Sequence, residues 1–209
     1  AQENLDRSIK GFLNQSDEYL NKIYHREEDI NNVSHAITDY LVKSNQLSLP
    51  LADQKILGSM FYVVNDIERI GDHAENFADY TKTELKHNTG LTGDAKEEIK
   101  KMYEAVSKLL KLSLESFMAQ DGVNTQEDKL AEIAALEASI DKMERRYQKH
   151  HIKRLAKGDC EPRAGLLFSD MLSELERIAD HSVNIAYSMS DEDEDEMLAA
   201  ENEALATNN

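Results

Sequence analysis

Asp66-Ile-Glu-Arg-Ile-Gly-Asp-His-Ala-Glu-Asn-Phe-Ala78 returns without gaps as Glu174-Leu-Glu-Arg-Ile-Ala-Asp-His-Ser-Val-Asn-Ile-Ala186, at an offset of 108 residues. Seven of the thirteen positions are identical, and three more exchange like for like among apolar or acidic residues. Upstream, Leu20, Ile23, Ile30 and Val33 correspond to Leu130, Ile133, Ile140 and Met143 at an offset of 110. Self-similarity on this scale implies two copies of one supersecondary unit packed against each other.

Each copy reads as three helices. Leu5, Ile9, Phe12 and Leu13 mark a short helix over 2–14. Ile23, Tyr24, Ile30, Val33, Ile37, Tyr40 and Leu41 give the three-four spacing of a second, which stops at 45–50. Pro50 suits the first turn of a third, whose stripe runs from Ile56 to Phe77 and on to the mid-80s. Gly90 and Gly93 place a midpoint loop at 88–94. The pattern then restarts over 95–118, turns at 122–126, continues over 127–155, breaks at 158–162 and ends with 163–189. The expected fold is all-α: a three-helix repeat over 1–88, a second over 94–190, and an acidic tail over 191–209.

The 209 residues hold only 2 Pro, 8 Gly and no Trp, which excludes collagen-like and low-complexity classes and disfavours a many-stranded β fold. The single cysteine, Cys160, rules out a disulfide framework and fits a reducing compartment; flanked by Asp159 and Glu161, it is a poor nucleophile. No apolar run is long enough to span a membrane, and no secretion signal is visible. Ala1 in place of Met suits a chain excised from a longer one. A net charge of −17 argues against nucleic acid or anionic lipid as the main partner. Eight of the acidic residues fall after Met189 with no Lys or Arg among them, and this tail is expected to be solvated and disordered.

Within the repeated motif, Glu68 and Asp72 stand four apart on one helix face, as do Glu176 and Asp180. Like charges at this spacing weaken a helix by roughly 0.2–0.5 kcal/mol. Two explanations keep the pair: a cation between the oxygens, or neutralisation by Arg69 and Arg177. Paired carboxylates suit hard cations such as Mg, Mn or Fe. A second helix must add ligands. Repeat two offers Glu137 and Asp141, with Glu144 a turn further; the corresponding residues of repeat one are Glu27, Asn31 and Ser34. Repeat two is therefore the expected metal site and repeat one the weaker, with His25 and Asp29 a substitute pair.

Other polar residues read as structural. His73 and His181 project about 140° from the first motif Glu and are expected on the surface or bonded between helices. Asp66 and Glu174 face away from the acid pair, Asp170 and Glu174 form one more acidic pair, and Asn76 and Asn184 suit bonds between helices. P-loop, dinucleotide-binding, serine-hydrolase and zincin signatures are all missing. A carboxylate-bridged di-metal enzyme is the alternative, but it needs Glu-x-x-His pairs on two helices. Glu84 and His87 supply one, at a helix end, and the bundle interior is apolar.

With its two trihelical repeats, each closing on D/E-x-E-R-I-x-D-x-x-x-N-I/F-A, the chain resembles the PhoU family over residues 5–189. The wording of His35-Ala-Ile-Thr-Asp-Tyr-Leu-Val, Leu49-Pro-Leu-Ala-Asp-Gln and His151-Ile-Lys-Arg-Leu is most similar to the PhoU-like C-terminal domain of bacterial sodium/phosphate cotransporters. The resemblance implies a non-enzymatic, cytoplasmic regulator of phosphate uptake at the inner face of the plasma membrane. Its partner would be a membrane phosphate transporter, in cis or in trans, with homodimerisation allowed. It further implies iron or zinc clusters held by E(D)xxxD pairs. By position these are Glu68 and Asp72 with Glu27, and Glu176 and Asp180 with Glu137 and Asp141. Asn31 and Ser34 depart from an all-acidic pattern.

Overall fold

Six helices follow one another in the computed structural model, which describes residues 1–87, 90–118 and 123–188, with backbone alone for 123–126. They are α1 (Gln2–Leu13), α2 (Leu20–Asn45), α3 (Leu51–His87), α4 (Gly93–Met118), α5 (Val123–Lys157) and α6 (Pro162–Tyr187). Among the described residues there are no strands. The turn expected at 122–126 is corrected: the chain is already helical from Val123. Gly122 and the acidic tail lie outside the described residues.

The helix ends follow local chemistry. α5 stops at Gly158, whose φ of 75° lets Gly158 N–H reach Leu155 O and Asp159 N–H reach Arg154 O, both at 3.0 Å. This is the paired closing motif that favours glycine. α1 ends in the same bonds, Gln15 N–H to Phe12 O and Ser16 N–H to Gly11 O, although Gln15 must then hold a φ of 51°. Its side-chain amide donates to Glu84 Oε1 at 3.1 Å, fastening that strained turn to the end of α3. Thr92 caps α4 by accepting from Ala95 N–H at 3.3 Å, so that helix starts two residues before the expected Ala95. Pro162 opens α6, where a missing N–H costs nothing.

α3 and α6 pack against each other at the centre. α1 and α2 cover α3, and α4 and α5 cover α6. The stripes of α1, α3, α4, α5 and α6, from Leu5, Ile9 and Phe12 to Phe168, Leu175 and Ile185, merge into one continuous core, whereas Val33, Ile37 and Tyr40 of the α2 stripe stay exposed. Two units thus share one interior, which suits short helical repeats that leave an apolar face open when alone. Within the described residues α1 has 12 residues and α4 has 26. No helix among the described residues is long and apolar enough to cross a membrane.

Candidate metal centre

Glu27 on α2 points at the backbone of α3. It is 2% exposed, and neither of its carboxylate oxygens has a hydrogen-bond partner. Gly71 makes room for it: a Cβ there would stand 2.6 Å from Glu27 Oε2. Burial pushes the Glu27 carboxyl up to about 7, reinforced by repulsion from Asp72, Glu75 and Glu68 and opposed by the N-terminal amine. Asn31, one turn on, also has a buried Oδ1 without a partner. Repeat one therefore gathers three orphaned oxygens beside an acid row. Buried oxygens without donors are costly and call for an explanation.

The rest of this row is partly engaged. The exposed Arg69 guanidinium lies 3.6 Å from Asp72 and 3.9 Å from Glu68. Tyr24 donates to Asp79 at 2.7 Å. Burial and then Asp79 and Asp72 raise the Glu75 carboxyl above its ordinary range. His25 and Asp29 do not join the row. His25 is exposed and faces Glu28 at 3.9 Å, and Asp29 pairs with Arg26 at 3.5 Å.

Repeat two opposes the same positions across α5 and α6, nearer to solvent. Glu137 is half-buried; burial, then Asp141 and Asp180, raise its carboxyl. Glu176 is raised by burial and by Asp180, Glu144 and Asp141, against Arg177. Burial and Asp141 raise Asp180 against the pull of His181. Arg145 already holds Asp141 at 3.1 Å. The counterpart of Gly71 is Ala179, a buried methyl in the place that Gly71 leaves open for the Glu27 carboxylate. The site expected to be the better one is thus the more solvated, and the orphaned oxygens fall in the other half. Their signal was legible only as the glycine–alanine difference inside the motif.

These donor sets fit a hard cation in their chemistry: oxygen ligands, negative charge and, at Glu27, lone pairs without a donor. Among the described residues no three His, Cys, Asp or Glu side chains converge closely enough to hold an ion as they stand, so the acids must turn inward to seat one. Glu84 and His87 do not make a ligand pair, because Glu84 is buried toward Gln15 while His87 is exposed.

The opposite face of the motif locks the repeats together. His73 Nδ1 pairs with Glu174 Oε2, and in the mirrored contact His181 Nδ1 pairs with Asp66 Oδ1 at 2.8 Å. Asn76 donates to Glu174 at 3.0 Å and Asn184 to Asp66 at 3.5 Å. The two histidine rings meet between these pairs, 5.5 Å apart. Positions 66, 73 and 76, with their counterparts 174, 181 and 184, therefore form one reciprocal latch, the geometry of a two-fold interface. Burial pushes Glu174 up, but the His73 and Asn76 bonds outweigh it and hold the carboxyl below its usual range.

A family model described as the PhoU domain matches residues 1–81 and again 99–189. The chain belongs to the PhoU family. Its PhoU repeats coincide with the two trihelical sets, and the latch joins one PhoU unit to the other. A curated relative in Thermotoga maritima, the phosphate-specific transport system accessory protein PhoU homolog 1, is 21% identical over 184 residues, covering 88% of this chain and 76% of the relative. PhoU from Pseudomonas aeruginosa shares the fold with a TM-score of 0.78 at 21% identity, over 90% of this chain and 87% of that one. The phosphate transport system regulatory protein PhoU from Streptococcus pneumoniae does so at 0.75 and 22%, with the same coverages.

Proposed function

We propose that this chain is a non-enzymatic, PhoU-type accessory regulator of phosphate uptake that senses or is structured by metal ions. It works at the cytoplasmic face of a membrane phosphate transporter. The reading that the transporter is a sodium/phosphate cotransporter, joined in cis or bound in trans, rests on the motif wording around residues 35–76 and 151–155. The family relationship and the names of its relatives support the phosphate-transport role. The observation that carries the metal half is Glu27, a buried carboxylate with two orphaned oxygens facing Glu68, Asp72 and Glu75.

In repeat one, Glu27, Glu68 and Asp72 would hold the ion, with Asn31 and Glu75 beside them; in repeat two, Glu137, Asp141, Glu176 and Asp180 would. Iron or zinc are the ions the family resemblance favours. A bound cation supplies positive charge that relieves the repulsion within each row. The chain's own residues do the rest. The Gly71 gap admits Glu27 to the helix interface, and the His73–Glu174 and His181–Asp66 latch holds both acid rows in a fixed relation. Occupancy can bias a transporter only if the loaded and empty chains contact its two states differently.

The test compares phosphate uptake by cells carrying the transporter with no chain, the natural chain, or a chain with Glu68→Gln, Asp72→Asn, Glu176→Gln and Asp180→Asn together. The expected result is that uptake depends on the natural chain and that the quadruple variant, equally helical, behaves as if the chain were absent. Uptake that ignores the chain altogether removes the transport reading. Uptake controlled equally by the variant removes the metal half alone.

A further inference from the structure

The charge of the chain reverses locally on α5. From Ala138 to Lys157 the sequence carries seven Lys and Arg against two acids, Asp141 and Glu144, within a total of −17. Lys142, Arg145, Arg146, Lys149, Lys153 and Lys157 are all exposed and fall within about 120° of one helix face. Glu144 lies roughly 160° around the helix from Lys142, on the side of Glu176. Asp141, at the edge of the stripe, is held by Arg145 at 3.1 Å. Lys142, Lys149 and Lys153 have no acidic partner at ion-pair distance among the described residues. From α4, Glu98 is taken by His150 at 2.6 Å and Arg154 at 2.8 Å, and Glu97 by Lys101 at 3.6 Å.

The fold does not require this stripe. At the offset of 110 its positions in α2 are Asn32, His35, Ala36, Asp39, Lys43 and Leu47, one lysine against one acid. The acid pairs and the latch recur in both repeats, whereas the cations belong to repeat two alone.

We propose that the outer face of α5 is a contact surface for an anionic lipid bilayer. Clustered Lys and Arg on a helix face are attracted by acidic headgroups, and long side chains reach them without the helix entering the membrane. The shape suits a flat partner: the open hollow between the cations, about 370 Å³, is lined by α5 residues alone. Ile152, 62% exposed and one turn from Lys149, adds an apolar contact at the edge. A nucleic acid fits less well, because Tyr147, the stretch's only Tyr, Phe or Trp, is 3% exposed and offers no stacking platform. The acidic run at 191–196 follows the far end of α6, where Tyr187 bonds Leu130 O at 3.4 Å. Lys149 to Lys157 lie roughly 30–40 Å further along α5. The net charge acts on approach from a distance, but screening cuts it off within about 8 Å at physiological salt, so in contact the stripe dominates. This inference uses the charge pattern of α5 and stands apart from the transport reading.

The full chain is sedimented with vesicles of phosphatidylcholine alone or mixed equally with phosphatidylglycerol. The expected result is binding to the mixed vesicles only, lost as salt rises from about 0.05 M to about 0.5 M. Lys142→Gln, Lys149→Gln and Lys153→Gln together should weaken it at least about tenfold. Lys22→Gln, Lys43→Gln and Lys86→Gln, which change the net charge equally but lie in repeat one, should leave it unchanged. Both triple variants should melt like the parent. A chain that ignores the mixed vesicles at low salt overturns the proposal, as does equal weakening by the two triple variants. Tighter binding to short duplex DNA than to the vesicles also overturns it, and would make nucleic acid the partner of the stripe.

Discussion

Metal-free protein carrying Glu27→Gln should be more stable than the natural chain at pH 8, by about 2 kcal/mol, and no more stable at pH 5. The sign follows from linkage. The Glu27 carboxyl is pushed up to about 7 in the folded chain, against 4.5 as its ordinary value. Between these values the folded state binds the proton and the unfolded state does not. Stability therefore falls as pH rises through this window and levels off above it. A difference of this size corresponds to about 3 kcal/mol. Glutamine mimics the protonated acid but leaves amide hydrogens without acceptors, which offsets part of the gain. Urea unfolding in chelator at the two pH values checks this; equal effects at both would show that Glu27 titrates normally.

His73→Ala should destabilise the chain by about 3 kcal/mol at pH 7, because it strips Glu174 of its main donor while the carboxylate stays buried. The side chains of His73 and Glu174 are each 10% exposed. His181→Ala should cost clearly less, about 1 kcal/mol, since His181 and Asp66 are 24% and 13% exposed and water can replace the lost donor. Glu174, with its depressed value, lends stability above its unfolded pKa and loses it as pH falls through the folded one. The His73 variant should therefore lose less than the natural chain on acidification. Parallel chemical denaturation of the two variants measures the asymmetry, and equal losses would contradict the burial argument.

The repeat, the six helices and the positions of the breaks were legible because periodicity, Pro50, Gly158 and Pro162 all act locally. The stop at Gln15 was visible only as the end of a short stripe, since a residue other than glycine holds the left-handed turn there. The early start of α5 ran against the turn read at 122–126. The acid pairs were legible as rows, but their depth was not. Whether Glu27 or Glu137 sinks between helices depends on one methyl, absent at Gly71 and present at Ala179, and on packing that no residue spacing expresses. The latch was half visible: residues 66, 73 and 76 share one helix face and recur at 174, 181 and 184. That the two faces meet each other is a property of the assembled pair.

The central claim is that these acid rows are cation sites, the deeper one built around Glu27. Calorimetric titration of ferrous iron, zinc and manganese into the chelator-treated chain near pH 7 tests it most directly. The account predicts uptake of at least one of these ions with proton release, and loss of the tightest binding step in the Glu27→Gln variant. A chain that binds none of the three, or a variant whose titration overlays that of the natural protein, would contradict it.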